Sequence, residues 1–278
     1  MKMSNKLHSG IPAQAGFTLV ELAIVLVIIG LIISSVLVGQ DLVRSAELRA
    51  SVTQYESFNS AVGTFRGKYN GIPGDVTGAT SYGFTGNGNA DGDLLTATTT
   101  PNLIATSENI YFWNHLGSSG AALISGSYLG NAIVTSTNIA TLLPAAKAGN
   151  YWGVFAGQTS DTAEVDSSTA ESGSNFYILG VTGDVSTTGV YTTTATLTPL
   201  EAKNIDDKVD DGKPGSGIVR ARGAHISLPD TEPTAAAAST STTTCVGGNA
   251  TYVGNASSEA YATQATTAYC TLRFKMPF

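Results

Sequence analysis

The chemistry this sequence can offer sits in a few small groups of side chains. Glu21 is the single charge in an apolar block that runs from Phe17 to Gln40. A carboxylate at that depth costs about 3 kcal/mol unless something compensates it. It therefore marks either a pairing site for a cation or a group that reaches out to lipid headgroups. Just ahead stand the small residues Ala13, Ala15 and Gly16, the residue types found at a peptidase cleavage point. Further on, Asn87, Asn89, Asp91 and Asp93 alternate in a G-N-G-N-A-D-G-D run, with Gly92 at a turn. Oxygen donors at that spacing match the first half of an EF-hand loop, with asparagine in the leading place. The closing acid is missing, because position 98 is Thr98. Calcium on these four residues needs further ligands from elsewhere, such as the acids Asp206, Asp207, Asp210 and Asp211; the other reading of both acidic runs is a solvated turn.

Two thiols and three imidazoles complete the inventory. Cys245 and Cys270, placed beyond a membrane in an oxidising compartment, most simply form one disulfide. His115 has no spaced partner and reads as structural rather than as a ligand or base. There is no nucleophile–base pair with positional logic, no phosphate-binding glycine loop and no Cys/His metal set. The sequence reads as a non-enzyme, with calcium as the one cofactor to consider.

The net charge of −7 comes without a basic patch, which argues against a dedicated nucleic-acid-binding surface. Hydrophobic residues make up 42% of the chain and charged ones only 13%, which excludes a disordered composition. The 278 residues suffice for an anchor and one sizeable extracytoplasmic domain.

The elements that must position these groups follow from periodicity. No residue from Leu22 to Gln40 is charged, and Phe17 to Gln40 is long enough as a helix to cross a hydrocarbon core of ~30 Å. Residues 1–16 carry Lys2 and Lys6, so this leader stays cytoplasmic and the bulk of the chain lies outside. Beyond Gln40 the helical period continues with Leu48, Val52, Tyr55, Phe58, Val62, Phe65 and Tyr69, the stripe of a helix with one buried face. Gly63 and Gly67 are weak points in it, and the Asn70-Gly71-Ile72-Pro73-Gly74 run ends it. Residues 107–116 read as a short helix with Ser107 as N-cap. Residues 197–209 read as another, with Thr198 as N-cap and Pro199 at the first helical position. Strands are expected at 151–155, 175–180, 189–191, 218–222 and 271–276. Residues 159–174 and 231–244 read as exposed loops. The Asn249 and Asn255 sequons read as chance matches in a Thr-rich chain.

The run Gly16-Phe17-Thr18-Leu19-Val20-Glu21, with its basic leader and following apolar helix, resembles the prepilin signature of type IV pilins and of the pseudopilins of type II secretion. The resemblance implies an α+β, pilin-like fold: a long N-terminal helix, membrane-spanning in its first half, packed on an antiparallel sheet, with a disulfide-bounded, surface-variable C-terminal region. It divides the chain into a cleaved leader (1–16), a spine helix (17–69, with 17–40 in the membrane or filament core) and a globular extracytoplasmic domain (70–278). It implies cleavage after Gly16 by prepilin peptidase, N-methylation of Phe17, and pairing of Glu21 with the Phe17 amine of a neighbouring subunit. Its partners would be copies of itself or other pilins, the inner-membrane assembly platform, and the bilayer before assembly. It places the subunit in the bacterial inner membrane first and in a surface or periplasmic filament afterwards. Three functions fit this frame: a type IV pilus subunit, a pseudopilin of type II secretion, and a membrane-anchored or filament-tip binding module.

Overall fold

The computed structural model describes residues 16, 18–94, 107–117, 119–130, 132, 134–156, 174–182, 194–223, 245–247, 260–267 and 270–278. The leader 1–15, Phe17, Thr98, most of the 159–174 excursion, the strand expected at 189–191, the 231–244 loop and both sequons lie outside the described residues. The chain divides into two compact units, Met1–Ser45 and Ala46–Phe278. Helix α1 (Leu19–Tyr69) begins in the first and ends in the second.

In the first unit, the large apolar side chains from Leu19 to Val43 are exposed, and α1 is long and apolar enough to cross a membrane. A helix apolar on all sides needs lipid or other protein around it. Within it the Ser35 hydroxyl is satisfied by the helix itself, Oγ donating to the Leu31 carbonyl at 2.8 Å.

The second unit is built on the one-sided stretch of α1. Val52, Tyr55, Phe58, Val62 and Phe65 are buried, while Leu48 and Tyr69 pack half-buried at the two ends of the stripe. Gly63 and Gly67 do not interrupt the helix, which runs to Tyr69. Asn70 then closes it in the left-handed conformation (φ 53°) that asparagine tolerates, its N–H on the Arg66 carbonyl.

The stripe faces aromatic side chains from every layer of the unit. Tyr55 lies 4.9 Å from Phe274, and Phe58 lies 4.9 Å from Trp113 and 5.8 Å from Trp152, ring centre to ring centre. Trp113 belongs to α2 (Glu108–Leu116), every residue of which is buried. A single turn, α3 (Ile139–Leu142), follows. The four-stranded antiparallel sheet takes the order β1-β2-β6-β3, from β1 (Tyr151–Ala156), β2 (Asn175–Val181), β3 (Val219–Gly223) and β6 (Cys270–Lys275). Helix α4 (Pro199–Val209) precedes β3. A two-stranded ribbon of β4 (Val246–Gly247) and β5 (Ala260–Tyr261) flanks the Cys245–Cys270 disulfide, whose Cα atoms are 5.0 Å apart. The architecture is the expected one: an α+β chain with a long apolar N-terminal helix, an antiparallel sheet and a disulfide in the C-terminal region.

One local expectation is corrected. Ser107 occupies the N-cap position of α2 but makes no side-chain cap; its Oγ donates instead to Asn109 Oδ1 at 2.6 Å. A buried hydroxyl bonds the nearest strong acceptor, and here that acceptor is a side chain.

Candidate functional site

Two places gather the chemistry-bearing residues. The first is the start of α1. Thr18 immediately precedes the helix, and Glu21 is its third residue. The Thr18 N–H and Oγ1 both donate to Glu21 Oε2 at 2.8 Å, and the Glu21 N–H donates back to Thr18 Oγ1 at 3.2 Å. This is a capping box, in which side chain and backbone satisfy each other at a helix start. The signal for it was visible as T-x-x-E ahead of an apolar run. The box uses one carboxylate oxygen; Oε1 makes no hydrogen bond among the described residues. Gly16 is exposed.

The second place is the loop of residues 70–94, which closes over α2. His115, fully buried, ties the two together. Its Nδ1 accepts from the Gly74 N–H at 2.9 Å, which leaves Nε2 to donate to the Thr85 carbonyl at 3.3 Å. Burial pushes this imidazole down to about pKa 4, so it stays neutral, in keeping with its structural role. Gly74 passes so close to α2 that a Cβ there would sit 2.3 Å from the Glu108 carbonyl oxygen. At Gly88 a Cβ would lie 2.2 Å from Asp75 Cα. Backbone contact this tight brings together residues that lie far apart in sequence.

The four alternating donors are placed as follows. Asn87 Oδ1 accepts from the Thr80 N–H at 2.9 Å. Asn89 Oδ1 accepts from the Asp91 N–H, and Asn89 Nδ2 donates to Asp91 Oδ2 at 2.7 Å. Asp91 Oδ1 accepts from the Asp93 N–H at 2.9 Å. Asp91 also meets two acids that the sequence pattern did not join to it: Asp75 and Glu108 each bring a carboxylate oxygen, and the three atoms lie within 4.8 Å of one another. Both oxygens of the buried Asp75 accept backbone N–H groups, Oδ1 from Ala90 at 2.5 Å and Oδ2 from Gly92 at 2.9 Å. Glu108 Oε1 accepts from the Asn89 N–H at 2.9 Å, while Oε2 is buried without a hydrogen-bond partner. Asn175 of β2 pins the loop's far end, accepting from the Leu94 N–H and donating to the Gly92 carbonyl.

Burial and the neighbouring acids push the Glu108 carboxyl up to about pKa 8. Burial also raises Asp75 and Asp93. Among the described residues none of the three clustered acids makes an ion pair.

The acids near residue 206 form a separate cluster, Asp206, Asp210 and Asp211. Here the carboxylates are engaged by the fold. Asp206 accepts from the Tyr261 hydroxyl at 2.8 Å and the Gly212 N–H. Asp210 accepts from the Ile218 and Val219 N–H groups. Asp211 accepts from the Lys213 N–H and Ser216 Oγ. This cluster shapes a turn between α4 and β3. Burial raises Asp206 to about pKa 7 and raises the Tyr261 hydroxyl further.

Residues 11–37 match the family model described as the prokaryotic N-terminal methylation motif. The motif is the signature of type IV pilins and pseudopilins, and its presence supports a pilin-like or pseudopilin precursor. Proteins of that motif class are structural rather than enzymatic, are processed by prepilin peptidase and assemble with other pilins. No curated protein and no solved structure matches the chain.

Proposed function

We propose that this chain is a structural subunit of a type IV pilus or a closely related filament. Prepilin peptidase removes residues 1–16 on the cytoplasmic side, and Phe17 becomes the N-methylated terminus. The subunit waits in the inner membrane on its apolar helix, and the assembly platform extracts it into a helical polymer of itself or of several pilins. There the apolar helices replace lipid with one another.

The single observation that carries this reading is the methylation motif at residues 11–37. The apolar start of α1 supports it, because the large apolar side chains from Leu19 to Val43 are exposed and need lipid or other protein around them. Glu21 supports it as well. The capping box orients the carboxylate and leaves Oε1 for a cation, and the Phe17 amine of a neighbour is a cation of the right kind. A domain of this length with a C-terminal disulfide favours the pilus over the more compact secretion pseudopilus.

The test is an intact-mass measurement on subunits sheared from the cell surface. The expected mass is that of residues 17–278 with one added methyl group and one disulfide. Mature protein that retains residues 1–16 overturns the reading. Processed protein found only in periplasmic assemblies of a secretion apparatus moves it to the pseudopilin.

A further inference from the structure

We propose that Asp75, Asp91 and Glu108 bind one calcium ion, which locks the loop of residues 70–94 onto helix α2. The site differs from the alternating asparagine–aspartate pattern of the loop and shares only Asp91 with it.

The geometry suits a single ion. Calcium holds its oxygen ligands at roughly 2.4 Å, so two oxygens around one ion lie up to about 5 Å apart. The three carboxylate atoms fall within 4.8 Å of one another. Carboxylates with no compensating charge repel at this separation, and two of these three residues are buried.

Glu108 is the decisive residue. It is 2% exposed, and among the described residues its Oε2 is the one buried carboxylate oxygen left without a hydrogen-bond partner. A buried polar oxygen without a partner is costly, and at the edge of an acidic group it is open to a cation. Among the described residues of the Asp206 cluster, by contrast, no buried carboxylate oxygen is left without a partner.

The donor chemistry selects the metal. The set is all oxygen, so thiophilic and imidazole-seeking metals have no preferred ligand. Asp91 is exposed, so water can complete the shell. A compact magnesium ion needs near-ideal octahedral ligands, whereas calcium tolerates an irregular set of carboxylates, carbonyls and water. The position also gives the ion work to do. The loop has no strand of its own and is held to α2 by the His115 clamp, by the Thr85 N–H on Asn114 Oδ1 and by the Asn89 N–H on Glu108. An ion bridging Asp75 and Asp91 of the loop to Glu108 of α2 adds a further tie.

The rival occupant is a proton shared between Glu108 and Asp75. The two are separated by a calcium titration of the mature full-length protein in detergent at pH 7.5, read by thermal melting and by calorimetry. Calcium should raise Tm by at least ~3 °C over the chelator-treated protein. Glu108→Gln should remove that shift. Because Glu108 is buried, the exposed Asp91→Asn provides the second variant; it should fold normally and bind calcium at least about tenfold more weakly. Wild-type protein whose melting does not respond to calcium overturns the proposal in favour of the shared proton. A calcium response that survives in both variants overturns it in favour of another site.

Discussion

The chain uses the same four-residue device twice, and the two copies differ in what surrounds them. At α1, Thr18 and Glu21 form a capping box at an exposed helix start. At α4, Thr198 and Glu201 form the same box, with Thr198 N–H on Glu201 Oε2 at 2.8 Å and Glu201 N–H on Thr198 Oγ1 at 3.3 Å. The second box starts a helix that packs within the Ala46–Phe278 unit, through the buried Ala202 and Ile205. The first starts α1, whose large apolar side chains from Leu19 to Val43 are exposed. Local geometry is thus equal in the two places, while the consequence of losing it is not. A glutamate that only caps a helix stabilises its own chain; on the reading proposed above, one that caps a helix entering lipid also carries a charge there, which would take a partner from outside.

The sharpest way to break this comparison is Glu21→Ala. Incorporation into filaments should be lost while membrane insertion is kept, read by comparing sheared-filament and membrane fractions. Normal filaments from that variant would reduce Glu21 to a cap like Glu201. Next in size is a contrast inside α1. Phe65→Ala should destabilise the Ala46–Phe278 unit by about 3–5 kcal/mol, because Phe65 is fully buried against Phe84 and Tyr69. Val27→Ala, in the exposed stretch, should leave that unit's denaturant midpoint within about 0.5 kcal/mol of wild type. The smallest effect compares the boxes themselves. Thr198→Ala should cost about 1 kcal/mol in the same melt, while Thr18→Ala should not move it. A Thr18→Ala effect as large as that of Thr198→Ala would mean that the two boxes serve the same fold.

How far the sequence reveals each feature depends on how far apart its residues lie. The stripe from Val52 to Phe65 was readable because a helix repeats its faces every three or four residues. The disulfide was readable because two cysteines beyond a membrane leave one pairing. The box at Thr18 is open to view as T-x-x-E ahead of an apolar run, a pattern in which the same glutamate serves as cap and as charge. The meeting of Asp75 and Asp91 with Glu108 was not readable. It depends on a loop closing onto a helix through Gly74, Gly88 and His115, and no local period carries that information. The ribbon of β4 and β5 was missed for a similar reason, since two-residue strands have no alternation to detect.

The strand order has a consequence for the protein's birth. β6 is the last of the described strands along the chain, yet it lies in the middle of the sheet, between β2 and β3. It also supplies Phe274 to Tyr55 of α1 and Cys270 to the disulfide. Until residues 270–275 arrive, β2 and β3 have no strand to pair with each other through, and α1 lacks part of its floor. Folding of this unit therefore cannot be completed as its N-terminal part emerges; β1 and β2 can pair early, but the full sheet has to wait for residue 275. During that interval the aromatic face of α1 and the edges of β2 and β3 stand open to chaperones and proteases. A truncation that removes only β6 should be cleared by the cell rather than displayed, even though every residue of the processing motif is intact.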